Sequence, residues 1–443
     1  MDDRRVSRRR FLQGTAAAGA GGLIIGGGVG AALGATLSGE GDEVEAGGSG
    51  EASGPPIKIG HPFPLTGPLA ADGEEAQRTT TLAVEEINDR GGICGRSVEQ
   101  VFADVGDLSP DKLRAAFTKL TAQDNVDCII ASYFYAPGPD MDVVADAEVP
   151  YIHHSAQSPY SEAVSDDPER YWMVFHGVAW EFPHGEGLIP VLDQIEATGN
   201  WRPRNRRAFI ITSDNTYSTN IATIMRDTIR EQGWDVAGFE QIVAPFTEWG
   251  PILENIRRTD PDLIFNTDFD VGDIAAFQIQ FVQNPTNSLM YQQFAPSLPE
   301  YYELTGDRST GVIYATLKGV LRDEIGRAFI ERFTNRWDVA PGAGTAGIVH
   351  DSMWMYFEAV ARAQGPEDRR RVAEELRGMI WRGVCGASTF NPENQTTPEY
   401  PTEEPDLSLG TPHLYIQLRD GQHEILSPET YATTQFEPPP WFA

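Results

Sequence analysis

The sequence predicts an α/β protein built as two doubly wound parallel-sheet lobes joined by crossover strands around a ligand cleft. Three observations carry this. Short apolar runs alternate with helical patterns from Pro56 to about residue 175, and the alternation restarts at Arg207. The apolar runs are brief and nearly continuous, as in parallel strands buried on both faces. Once a leader and linker of 55 residues are set aside, the 443-residue chain keeps enough length for about two to three domains.

The elements follow in order. Residues 57–63 read as a strand, and Ala76, Thr80, Ala83, Val84 and Ile87 then fall on one face of a helix ending at Arg90-Gly91-Gly92. Residues 97–103 form the next strand, 110–122 a helix, 127–132 a strand, 137–147 a helix, and 150–153 and 171–175 two more strands. A long helix at 182–197 leads into the second array: strand 207–212, helix 219–232, strand 236–244, helix 249–258, strand 262–267, helix 274–282, and strands 288–292 and 311–316. Helices near 324–338, 345–364 and 367–380 return to the first lobe, and 413–418 gives a late strand. The expected partition is 56–176 for the first part of lobe one, 177–316 for the first part of lobe two, 317–384 back in lobe one, and 385–443 for lobe two and a tail.

Charge excludes one class of partner. Lys and Arg number 34 against 65 Asp and Glu, a formal net charge of −31, so no nucleic acid is expected to be held through its phosphates. Lys58, Lys112, Lys119 and Lys318 are the only lysines. Acidity of this size with so little lysine fits a protein adapted to high salt, where screening reaches to within about 3 Å at 1 M.

The N-terminus reads as an address. Ser7-Arg8-Arg9-Arg10-Phe11-Leu12-Gln13, followed by an Ala/Gly run over 15–37, matches twin-arginine export. A retained membrane helix is the alternative, which so many glycines disfavour. Residues 38–55 have the Gly, Ser and acidic composition of a flexible tether. Cys94, Cys128 and Cys385 show no metal-ligand spacing. One disulfide with a thiol left over and three unpaired thiols are equally open.

In open α/β sheets, ligands bind outside the carboxyl ends of the strands, so two facing lobes make a cleft from the loops that follow strands. No nucleophile elbow, phosphate loop, zinc motif or dinucleotide fingerprint is found there, so no catalytic residue, metal or cofactor is expected. His153 and His154 are strand neighbours that point to opposite faces, which argues against a shared metal. Asp104 and Asp107 read as solvated charge in a chain so rich in acids.

Ile59-Gly60 through Leu65-Thr66-Gly67-Pro68, Ala83-Val84-Glu85-Glu86-Ile87-Asn88 running into Gly91-Gly92-Ile93-Cys94-Gly95-Arg96, and the strand-end Asp104 resemble the opening of the type I periplasmic binding proteins. These are the solute receptors of ATP-binding-cassette importers for branched-chain amino acids, urea and short amides. Ile211-Thr212-Ser213-Asp214-Asn215-Thr216-Tyr217 resembles the start of that family's second lobe, and the resemblance runs over about 56–428. The Pro-, Glu- and Thr-rich stretch 392–405 is similar to the irregular tails of the urea and amide branch.

The resemblance implies ligand contacts at Thr66 after strand one, Tyr133, Phe134 and Tyr135 after strand three, and Ser155, Ala156 and Gln157 after strand four. In the second lobe it implies Tyr217, with Asp214 as a possible cap for the helix that follows, then Asp268, Phe269 and Asp270, then Gln293 and Phe294. Tyr133 and Tyr135 stand where amino-acid binders have small polar residues, and the amide branch holds planar ligands in an aromatic box. Gln293-Phe294 stands where amino-acid binders place a carboxylate for the ligand ammonium, leaving Asp268 or Asp270 as substitutes. A branched-chain amino acid and a neutral amide or urea are therefore equal expectations. The implied mechanism is hinge closure of a monomer at 175–178, 315–318 and 384–386, with the closed form recognised by membrane permease subunits. A sensor on the same fold is the alternative, and an exported enzyme a more remote one.

Overall fold

The computed structural model describes residues 54–67, 69–134 and 137–442. The export signal, almost all of the tether, and Tyr135 lie outside the described residues. No helix among the described residues is long and apolar enough to cross a membrane.

Strands β1 (Ile57–Phe63), β2 (Val98–Asp104), β3 (Cys128–Ile130), β4 (Tyr151–His153) and β5 (Val174–His176) form a parallel sheet in the order β2-β1-β3-β4-β5. The second sheet repeats that order with β6 (Arg207–Ser213), β7 (Asp235–Ile242), β8 (Leu263–Asn266), β9 (Leu289–Gln292) and β10 (Ile313–Thr316). Two small ladders follow, antiparallel β11 (Trp381–Gly383) with β12 (Gly386–Ser388), and parallel β13 (Glu399–Tyr400) with β14 (Thr411–Pro412). Finally β15 (Leu414–Arg419) and β16 (Gln422–Ser427) extend the second sheet antiparallel beyond β10. The α/β class with parallel sheets is as the sequence predicts.

The second sheet shows why its strands read as continuous apolar runs. Phe209, Ile211 and Ile264 pack into one core cluster, while their neighbours Ala208, Ile210, Leu263 and Phe265 pack into another on the opposite face. Each face is covered along the middle of the strands, and the polar residues fall at their ends, as at Arg207, Ser213, Asn266 and Gln292.

The helix Ala70–Asp89 shows how closely helices seat against the first sheet's loops. A Cβ on Gly73 would lie 2.1 Å from the Pro64 carbonyl oxygen, so only glycine lets the helix start this near the loop after β1. The same helix ends where Gly91 and Gly92 take φ +93° and +76°. Helices Glu324–Trp337 and Thr345–Ala363 both pack on Ala70–Asp89, which returns this part of the chain to the first sheet.

Several elements depart from the sequence reading. The helix expected over 110–122 is α-helical at Pro110–Thr118 and passes into a π-turn at Lys119–Gln123. The helix expected at 182–197 breaks into Phe182–Glu186 and Leu188–Thr198 on either side of Gly187. A helix at Ser158–Asp166 was not expected, because its C-terminal half is polar; its signal was Pro159 in the first turn. Within the stretch 385–443 expected for lobe two and a tail, residues 391–397 run beside β5 of the first sheet. There Gln395 O accepts from His176 N–H at 2.9 Å, and Thr397 N–H donates to His176 O at 2.9 Å.

Two of the segments passing between the sheets, at 177–178 and 315–318, are tied together, and the third passage falls between 397 and β15 rather than at the expected 384–386, which holds the turn of the β11–β12 hairpin. Lys318, fully buried, donates its Nζ to Gly177 O at 3.0 Å. Asp351 accepts from Val384 N–H at 2.9 Å and Cys385 N–H at 3.0 Å. Burial raises the Asp351 carboxyl, but the His350 hydrogen bond and the Lys318 charge outweigh it and hold the group below the usual carboxylate range. All three cysteines are unpaired, Cys94 exposed and the other two buried.

Candidate functional site

A cavity lies between the carboxyl ends of the two sheets. From the first sheet it takes Tyr133 after β3, and His154, Ala156 and Gln157 after β4. From the second it takes Tyr217 after β6, Phe269 after β8, Gln293 and Phe294 after β9, and Ala315, Thr316 and Leu317 from the end of β10. Val178 in the first crossover, His184 on Phe182–Glu186 and Ile348 on Thr345–Ala363 complete it.

Aromatic rings meet across the cleft. Tyr133 stands edge-on to Phe269 and Phe294, with centroids 6.4 and 5.8 Å apart, and Tyr217 is edge-on to Phe269 at 5.7 Å. Tyr133 is anchored from behind, its hydroxyl donating to Asp72 Oδ2 at 2.6 Å. Asp72 also accepts from Thr345 Oγ1 at 2.8 Å, and burial pushes its carboxyl up to about 6.

The polar groups have fixed roles. Gln293 receives the Tyr291 hydroxyl on its amide oxygen at 2.5 Å and donates its amide nitrogen to Tyr217 Oη at 2.7 Å. Tyr217 therefore accepts from Gln293, and its own proton is left to point elsewhere. Burial raises its phenol, which stays neutral. Gln157 Oε1 is buried with no partner, an acceptor on the cavity wall. His154 binds Ser352 Oγ through Nε2 at 2.8 Å, and burial, helped by the Lys318 charge, lowers its imidazole to about 3. No Asp, Glu, Lys or Arg lines the cavity among the described residues.

Of the residues expected to touch ligand, Tyr133, Ala156, Gln157, Tyr217, Phe269, Gln293 and Phe294 come together on this wall. Thr66, Phe134, Ser155, Asp268 and Asp270 do not. Thr66 is exposed and donates its hydroxyl to Asp104 Oδ2 at 2.6 Å. Ser155 is fully buried, its Oγ accepting from Phe134 N–H at 2.9 Å, which fixes the loop carrying Tyr133. Asp268 sits behind Phe269, with Oδ1 holding Phe269 N–H at 2.9 Å and Oδ2 buried without a partner. Burial and then the nearby Asp273 push its carboxyl up to about 7. Asp270, the other expected substitute, is the N-cap of Val271–Phe281 and accepts from Gly272 and Asp273 N–H. Asn215 rather than Asp214 caps Thr216–Glu231, accepting from Ser218 N–H at 2.9 Å.

Sequence reasoning missed His154, His184, Thr316, Leu317 and Ile348 as cavity residues. His184 had no local signal, because its helix reaches the cavity only through the crossover after β5.

A family model described as periplasmic binding protein matches residues 56–400. The chain belongs to this family. Among relatives of the binding protein is the leucine-, isoleucine-, valine-, threonine- and alanine-binding protein of Pseudomonas aeruginosa, 23% identical over 340 residues, 76% of this chain and 86% of the relative. A crystal structure from Silicibacter pomeroyi, named for a candidate branched-chain amino acid ABC transporter, is 38% identical, with TM-score 0.79 over 87% of this chain and 100% of that one. The isoleucine-bound substrate binding protein of a branched-chain amino acid transporter from Streptococcus pneumoniae shares the fold, with TM-score 0.70 and 18% identity over 84% of this chain and all of that one. The family is a solute-receptor type, and its members lie outside the cytoplasm.

Proposed function

We propose that this binding protein is the solute receptor of an ATP-binding-cassette importer. It captures a small solute between the two sheets by hinge closure and presents the closed form to membrane permease subunits. The observation that carries the reading is the cavity itself, built from the strand-end loops of both sheets and bounded by the crossovers. The lobes divide near 176 and 316 and again between 397 and β15, and the chain works as an exported monomer sent out by the twin-arginine route.

The cavity wall is aromatic and carries no formal charge. A short amide fits it with nothing added: its carbonyl takes the Tyr217 proton, its N–H groups go to Gln157 Oε1, and its body lies against the Tyr133, Phe269 and Phe294 rings. A branched-chain amino acid is the second reading, favoured by the partnerless Asp268 Oδ2 one residue from the wall. An ammonium there would draw that carboxyl into its charged form.

A thermal-shift screen in molar KCl tests this with L-leucine, L-isoleucine, L-valine, urea, butyramide and benzoate. A solute at about 100 times its Kd adds about 2.7 kcal/mol of stability. A shift with the amino acids alone, lost in Asp268→Asn, selects the second reading. A shift with butyramide that survives Asp268→Asn selects the first, and a folded protein that responds to none of the six contradicts both.

A further inference from the structure

Behind the cavity, three residues distant in sequence meet in a line. His184 lies on Phe182–Glu186, His413 follows β14, and Glu399 opens β13. The β13–β14 ladder pairs Glu399 with Thr411, and His413 N–H donates to Tyr400 O at 3.0 Å, which holds Glu399 beside the His413 ring. His413 Nδ1 is 3.3 Å from Glu399 Oε1, and His413 Nε2 is 3.1 Å from His184 Nδ1. Glu399 is fully buried. Its Oε2 accepts from Thr402 N–H at 2.8 Å, while Oε1 has no hydrogen-bond partner.

With Nδ1 of His184 committed to His413, Nε2 is the nitrogen left for the cavity that this residue lines. Burial, and next the adjacent His413, hold the His184 imidazole well below its ordinary pKa, so the ring is neutral and carries one proton. Which nitrogen carries it is decided by His413. If His413 is neutral, with its proton on Nδ1 toward Glu399, then Nε2 accepts, His184 holds its proton on Nδ1, and the cavity meets a lone pair. If His413 is an imidazolium, both its N–H groups donate, His184 Nδ1 accepts, and the cavity meets an Nε2–H donor. The second arrangement pairs the buried carboxylate with a cation, which the first leaves undone.

We propose that Glu399, His413 and His184 form a buried proton relay that presents the His184 Nε2–H to the cavity, making His184 a binding residue for a solute acceptor oxygen and the other two its positioning residues. This rests on the cavity being the solute site. One proton on His413 turns the cavity-facing nitrogen from acceptor to donor.

Several titratable groups face the two rings. Glu403, on the same turn as Glu399, has its carboxyl pushed up to about 8 by burial and so does not compete as an anion at neutral pH. Tyr217 and Tyr415 are held as phenols by burial. Glu186, on the helix of His184, adds negative charge near Glu403 and Tyr415. Across the cavity stand neutral His154 and the cationic Lys318.

Histidine-selective 15N labelling of the full chain reads the relay without any solute. His184 and His413 are assigned by comparison with His184→Asn and His413→Asn. At pH 7 the relay requires the Nε2–H tautomer at His184 and a doubly protonated ring at His413, and the isosteric Glu399→Gln converts His413 to a neutral ring and moves the His184 proton to Nδ1. If Glu399→Gln does not fold, raising the pH of the unmodified chain until His413 loses its proton gives the same His184 change. An Nδ1–H tautomer at His184 at pH 7, or two rings that titrate independently, overturns the relay. The solute arm uses benzoate and butyramide at pH 6 and pH 8 in two buffers of different ionisation enthalpy. Benzoate, a carboxylate, binds without proton uptake while His413 is protonated, and above the pH at which His413 loses its proton it binds with uptake and weakens by up to about tenfold per pH unit, while butyramide changes less than twofold. Benzoate affinity that stays constant as His413 loses its proton overturns the link to the solute. Absence of binding by either compound, with the tautomers as stated, instead counts against the solute reading of the cavity.

Discussion

Lys318→Met removes the cation from the centre of the crossovers while keeping most of the side chain's volume. Lys318 is fully buried and donates to Gly177 O at 3.0 Å, and its charge helps hold Asp351 ionised against burial. Burial lowers the Lys318 pKa, with Asp351 and Cys385 opposing. Losing a hydrogen bond made by a charged donor costs about 1.5–3 kcal/mol, and a buried carboxylate left short of its counter-charge adds to that, for a total of about 3 kcal/mol. Unfolding entropy of roughly 2.1 cal/mol/K per residue over about 390 residues gives about 0.8 kcal/mol/K, so the expected fall in Tm is about 4 °C. The assay is thermal unfolding at fixed KCl, followed by the double variant Lys318→Met with Asp351→Asn. That double variant recovers about 1 kcal/mol relative to the sum of the singles, because the orphaned charge is gone. A single variant within 1 °C of the unmodified protein, or a cycle with no coupling, refutes the view that a buried charge pair ties the crossovers together.

Three further predictions follow from the same structure. A thiol reagent titrates one cysteine per native chain, Cys94, and three after unfolding; two fast thiols, or only one after unfolding without reductant, contradict the unpaired state. A net charge of −31 makes Tm rise with KCl up to molar concentrations, and a flat response removes the high-salt reading. The Asp72 carboxyl, raised to about 6, contributes stability that is complete below its unfolded value near 4 and is lost as pH rises through 6. Asp72→Asn therefore gains on the unmodified protein by up to about 3 kcal/mol between pH 4 and pH 7 in denaturant titrations, and a constant difference over that range contradicts the burial of an ionisable group there.

Much of the fold was legible because buried parallel strands leave a continuous apolar signature, as at Ile57–Phe63 and Arg207–Ser213. The β16 strand was not, since Gln422, His423 and Glu424 sit on an edge where polar residues are tolerated. Tyr133, Tyr217 and Gln293 were legible in the site because each follows a strand end. Ser155 and Thr66 also follow strand ends, yet their hydroxyls are spent on Phe134 N–H and Asp104, and spacing alone carries no sign of which way a loop side chain turns. The histidine line depends on Glu399 and His413 meeting His184 from more than 200 residues away, a juxtaposition set by tertiary packing.

The most direct test of the central claim is calorimetric titration in molar KCl of butyramide and L-leucine into the unmodified protein and into Tyr217→Ala with Gln293→Ala, both known from circular dichroism to be folded. The account predicts one site per chain for at least one of the two solutes, lost in the double variant because the aromatic and amide wall of the cavity is gone. Binding that survives unchanged in the double variant would place the solute elsewhere and contradict the account.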